Sequence, residues 1–81
     1  MDYNNQPIKI MAIFSEGKVT PIKFRLDDQV IRIQKILRIR EEKSFNEYII
    51  YTCLHNTRTY EIKYNISTSM WYLSVNRVGG N

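Results

Sequence analysis

The chain has one cysteine, Cys53, and one histidine, His55, among 81 residues. A single thiol makes no internal disulfide, and the lack of a disulfide framework points to a reducing compartment. With no second cysteine or histidine, the pair falls short of the four nitrogen or sulfur ligands of a structural zinc site. They stand two apart and so share one face of an extended strand. That spacing holds them too far apart for the hydrogen-bond contact of a Cys–His catalytic pair. Cys53 reads as a buried thiol and His55 as a turn residue. Long apolar runs are also missing. The longest, Ile10 to Phe14, is far short of the roughly 20 residues of a membrane span. Asp2 and the polar run Tyr3 to Gln6 stand where a secretory signal would place a positive start and an apolar stretch. The expectation is a cytoplasmic protein with no membrane contact.

No phosphate-binding loop, nucleophile–base pair or metal-ligand cluster is legible. The adjacent acids Asp27-Asp28 and Glu41-Glu42 read as turn and solubility residues, because catalytic carboxylates need a set separation across a cleft. Gly79-Gly80 resembles the ending of sulfur carriers and ubiquitin-like modifiers. Asn81 follows it, however, and those folds pack a helix on their sheet, so it reads as a flexible tail. The expectation is a protein that is not an enzyme and takes no metal or cofactor.

What is present is alternation. In Thr59 to Ile66, Tyr60, Ile62, Tyr64 and Ile66 alternate with Thr59, Glu61, Lys63 and Asn65, which gives a strand one apolar and one wet face. Similar stretches run from Ile8 to Phe14, Val19 to Leu26, Gln29 to Arg40, Glu47 to Leu54 and Met70 to Val75. Gly17 supplies a tight hairpin turn, Asp27-Asp28 a second and His55-Asn56-Thr57 a third. Pro21 cannot donate to a ladder, so it marks an edge or a bulge. In Gln29 to Arg40 the alternation slips at Lys35-Ile36, which predicts a bulge and a bend. A helix is the rival there, since Ile33, Ile36, Leu37 and Arg40 also fit helical spacing. The β-branched density of Val30, Ile31, Ile33, Ile36 and Ile39 favours the strand. Glu41 to Ser44 reads as a charged loop. Both faces of Glu47 to Leu54 are apolar, so that strand is central or lies between layers.

The reading is a single domain over residues 1–81, ordered from about 8 to 76, with flexible ends at 1–6 and 77–81. Its fold class is all-β: one small antiparallel meander of five to six strands, strongly bent or curled into an SH3-like, partly open barrel. An OB-like barrel is the alternative, though its usual helix is missing. Ile22, Phe24, Ile31, Ile33, Tyr60, Ile62, Trp71 and Leu73 form the predicted core. The segment Pro21-Ile22-Lys23-Phe24-Arg25-Leu26, with Ile33, Ile36-Leu37, Tyr51-Thr52-Cys53, Tyr60-Glu61-Ile62 and Trp71-Tyr72-Leu73, resembles a family of short bacterial proteins known only as a domain of unknown function. The likeness runs from about Ile8 to Val75 and departs at Leu26, where an aromatic is expected. The resemblance implies no activity and carries over no functional residue.

Charge is unevenly spread. Residues 1–40 hold eight Lys or Arg against four acids, and residues 41–81 hold four of each. If the longer strands pair as hairpins, Lys23, Arg25, Arg32, Arg38 and Arg40 form a basic face, with Tyr51 or Tyr72 exposed beside it. The bulge near Lys35 decides whether Arg38 and Arg40 stay on the side of Arg32. Arg and Tyr are enriched at protein interfaces, and an incomplete meander leaves edges to pair with a partner or a second copy. The expected function is a non-catalytic protein-interaction module, self-association included. The alternative is weak nucleic-acid binding, with cations on phosphates and rings on bases.

Overall fold

The computed structural model describes residues 4–43 and 47–75. Eight strands follow one another: β1 (Asn4–Pro7), β2 (Ile10–Ser15), β3 (Lys18–Leu26), β4 (Gln29–Arg32), β5 (Lys35–Lys43), β6 (Glu47–His55), β7 (Arg58–Asn65) and β8 (Met70–Val75). The protein is all-β, with two antiparallel sheets that do not close into a barrel. The larger has the order β1-β8-β7-β6-β5 and the smaller β2-β3-β4. Among the described residues no helix is long and apolar enough to cross a membrane.

Two lengths of chain serve both sheets. β1 runs into β2 through Ile8 and Lys9, and β4 into β5 through Ile33 and Gln34. Backbone bonds hold each corner. Ile8 N–H donates to the Trp71 carbonyl (3.2 Å), Arg25 N–H to Lys9 (3.0 Å), Ile33 N–H to Ile22 (2.9 Å) and Gln34 N–H to Leu54 (2.9 Å). Beyond each corner the chain changes partners. The long third stretch of the sequence is therefore two strands, β4 on β3 and β5 on β6.

Two bulges alter the phase of the pleat. Ala12 pairs with Pro21 while Met11 pairs with Lys23, so Ile22 is an extra residue in β3. Val19 and Pro21 point inward before it, and Phe24 and Leu26 after it. Pro21 sits where β4 does not reach, so its missing N–H costs no ladder bond. In β5, Ile36 pairs with Cys53 and Arg38 with Thr52, which makes Leu37 the extra residue, two positions beyond the expected slip. Local twist and bending at such points turn the strands from one sheet toward the other.

The core lies between the sheets. Phe24, Ile31, Tyr51, Cys53, Ile62, Tyr64, Trp71 and Leu73 are buried there, with Ile33, Ile36 and Tyr60 packed against them. Ile22 departs from expectation: as the bulged residue it is only half-buried and lies outside this cluster. Tyr51, Cys53 and Tyr64 join it because the inner face of β6 and β7 receives the second sheet. Ile50 is also buried, on the opposite face. Arg40 and Lys63 flank it in register, and Arg40 reaches across β6 to Glu61, so their aliphatic stems cover it.

Two other expectations change. Asn4–Pro7, assigned to a flexible end, is a strand paired with β8. Glu41 to Lys43, assigned to a loop, completes β5. The tail at 77–81 lies outside the described residues.

Candidate functional site

The sandwich is open along one side. β3 pairs with β4 only from Lys23 to Leu26, and β5 pairs only with β6. Lys18 to Pro21 and β5 therefore border a gap with no strand between them among the described residues. Beneath it is a cleft of about 730 Å³, lined on the hairpin side by Phe14, Val19 and Thr20 and on the sheet side by Ile39, Ile49, Tyr51, Tyr64 and Ile66. The lining is mainly apolar, with Glu16, Lys18 and Glu41 at the rim. Phe14 points inward in the β2 alternation yet is exposed at the mouth, where no described residue covers it.

Aromatic rings make the floor. Phe14 meets Tyr64 edge-on at 6.1 Å, Tyr64 lies 4.6 Å from Trp71, and Trp71 lies 5.8 Å from Tyr51. The Tyr51 hydroxyl donates to the Val19 carbonyl at 2.6 Å. It thus supplies a donor to a strand edge that has no ladder partner there. Burial, with the nearby Tyr64 and Cys53, pushes the Tyr51 hydroxyl up to about 12. It stays protonated, and a donor, through the neutral range.

The basic residues divide between the sheets. Lys23 pairs with Arg32 and Arg25 with Val30, all on the outward face opposite buried Phe24 and Ile31. Lys9 joins them, lining a shallow depression with Met11, Lys23, Arg25 and Val30. Its side chain is exposed, but its place at the β1–β2 corner is invisible in the sequence. Arg38 and Arg40 instead stand on the outer face of the larger sheet, in register with Thr52 and Ile50. Arg40 is engaged there by Glu61 at 2.7 Å. The face expected to hold all five cations is therefore two faces, because β4 and β5 belong to different sheets. Tyr51 is only 2% exposed and cannot stack on a ligand's ring. Tyr72 is half-buried on the outer face of the larger sheet, beside Lys63 and Pro7 in register and away from Lys23.

Cys53 and His55 do share a strand face but serve separate ends. Cys53 is 1% exposed, and burial pushes its thiol up to about 11. His55 Nδ1 lies 2.9 Å from the Arg32 carbonyl, which only accepts, so that nitrogen carries the hydrogen. Its Nε2 then accepts from Asn56 Nδ2 at 3.3 Å. Asn56 and Gln34 exchange two further bonds, at 2.8 and 3.3 Å. This group ties the β6–β7 turn to the β4–β5 corner. Among the described residues no group of three His, Cys, Asp or Glu is placed to hold a metal. No family model matches the chain, and no curated protein or solved structure is similar enough to it to count as a match.

Proposed function

We propose that the protein is a non-catalytic interaction module whose docking surface is the open cleft, and that its occupant is an extended segment of a partner protein. The observation that carries this is a coincidence: the apolar cleft lies between two strand edges, Lys18 to Pro21 and the outer side of β5, that have no ladder partner among the described residues. An extended segment satisfies both features at once. Its backbone pairs with an edge, and alternate side chains enter the apolar lining. Two rim carboxylates, Glu16 and Glu41, against one amine, Lys18, favour a segment with a Lys or Arg beside its apolar positions. The bulge at Leu37 interrupts the β5 edge, so a segment pairing on that side lies along the stretch after Leu37.

A peptide alternating Val and Thr and ending in Lys tests the reading. Titration should change Trp71 emission and shift backbone amide resonances at Phe14, Val19 and Ile39. Ile39→Asp, at an exposed position, should weaken binding about tenfold or more, since one buried apolar contact is worth roughly 1.5–3 kcal/mol. Shifts confined to the outer sheet faces, or none at millimolar peptide, would remove the cleft from consideration.

One observation favours a second reading. Lys9, Lys23, Arg25 and Arg32 gather on the outer face of the small sheet, and none takes part in the ion pairs Arg40–Glu61 and Lys43–Glu41. Such a face suits the phosphates of a single-stranded nucleic acid. Affinity for a labelled oligonucleotide would fall with salt at a log–log slope of roughly −0.7 per contacted phosphate. Ala at Arg25 and Arg32 would abolish it, while Arg38→Ala would leave it intact. No binding at low salt would end this reading.

A further inference from the structure

The edges of the two sheets are unequally protected. β1 and β4 are four residues long, and β1 ends at Pro7. β5 carries a bulge at Leu37 and charges at Lys35, Arg38, Arg40, Glu41, Glu42 and Lys43. These are the usual guards against edge-to-edge pairing. β2 has none of them. Ile10-Met11-Ala12-Ile13-Phe14-Ser15 contains no charge and no proline, and it pairs with β3 on one side only. Met11 and Ile13 are each 54% exposed, on the outward face. In a chain of net charge +4 this is the longest uncharged edge strand among the described residues.

We infer that β2 is the site of self-association: two copies pair β2 antiparallel across a two-fold axis, joining their small sheets into one of six strands. A two-fold contact uses the same patch twice, so the strand must tolerate its own copy. β2 does, because pairing places apolar side chains beside apolar side chains and brings no like charges together. Met11 and Ile13 of both copies then form an apolar strip in the middle of the joint outer face. The nearest cations across the joint are Lys9 of one copy and Lys18 of the other, two strand spacings apart and offset by two residues, roughly 12 Å. That exceeds the screening length of about 8 Å at physiological ionic strength, but not the roughly 30 Å at 0.01 M. Association through β2 therefore strengthens with added salt, the opposite of phosphate binding.

The inference does not depend on the cleft. Ile13 is not among the residues that line it, whereas Ile39 is. Sedimentation equilibrium of the full chain across the micromolar range at physiological ionic strength should show a monomer–dimer equilibrium that loosens at low salt. Ile13→Lys should raise the dissociation constant at least tenfold. Mixing Ile13→Lys with Ile13→Glu should restore dimers, because residue 13 lies next to the middle of β2 and faces its copy across the axis. Circular dichroism checks that each variant is folded. If Ile13→Lys is not, Met11→Lys and Ser15→Glu replace the pair with the same expected outcomes, because residue 11 then faces residue 15 of the other copy. A wild-type chain monomeric throughout, or a dimer unmoved by charge on β2 and broken by Ile39→Asp, would overturn the assignment.

Discussion

Tyr51 shows how one residue decides more than its burial suggests. Its ring sits on the aromatic floor of the cleft, and its hydroxyl spans from β6 to the unpaired edge of β3. Tyr51→Phe keeps the ring and removes the donor. The Val19 carbonyl stands at the cleft, where water can replace part of the lost bond, so the expected loss is about 1 kcal/mol in urea denaturation. The same floor makes the fold sensitive to alkali. Burial raises Cys53 from 9.0 to about 11 and Tyr51 from 10.0 to about 12. The unfolded chain thus releases these protons first as pH rises. Stability is full below pH 9, declines from 9 toward 11 as Cys53 is affected, and declines further as Tyr51 follows. Urea midpoints measured from neutral pH to pH 11 should fall, and Cys53→Ala should flatten the first part of that fall.

At the scale of the element, turns and bulges set where each strand points. Ser15 pairs with Lys18 across Glu16-Gly17, and Leu26 with Gln29 across Asp27-Asp28. All four turn residues have positive φ: 54° and 77° in the first turn, 52° and 64° in the second. Such two-residue turns match the twist of the flanking strands, and glycine adopts their geometry without the Cβ penalty. Gly17 meets this need in the first turn, while Asp28 carries the strain in the second. Asp28→Gly should raise stability by about 0.5–1 kcal/mol, read as a higher urea midpoint at unchanged slope. The Asn65 side chain is the counterpart at the β7–β8 turn. Its Oδ1 accepts from the N–H groups of Ser67 (2.9 Å) and Thr68 (3.1 Å), which explains a buried polar residue at a strand end.

For the whole molecule, the shared chains matter most. Because β1–β2 and β4–β5 each belong to both sheets, neither sheet can separate without breaking the other's edge. Unfolding is therefore expected as a single transition, with Trp71 fluorescence and far-ultraviolet circular dichroism coinciding in urea. Two displaced curves would show that the sheets melt separately. The same crossover leaves the cleft, since each bent chain uses one edge on each side of its corner.

Much of this was legible in order along the chain. The period-two pattern specified strands in Tyr60 to Tyr64 and Trp71 to Leu73, the turn residues specified their limits, and the slip near Lys35 announced a bulge. Burial of Phe24, Ile31, Ile62, Trp71 and Leu73 followed from alternation alone, because one face of each strand was plainly apolar. The basic face was not legible as a unit. Lys23, Arg25 and Arg32 stand together, but Arg38 and Arg40 are carried to another sheet by a corner at Ile33-Gln34. Nor could alternation choose between Ile50 and Tyr51 in β6, where both faces are apolar. The inner side became the core side only when the second sheet packed on it. A strand's own residues specify its two faces, but which partner lies along each edge and which layer covers each face depend on contacts distant in sequence, so only the tertiary structure decides them.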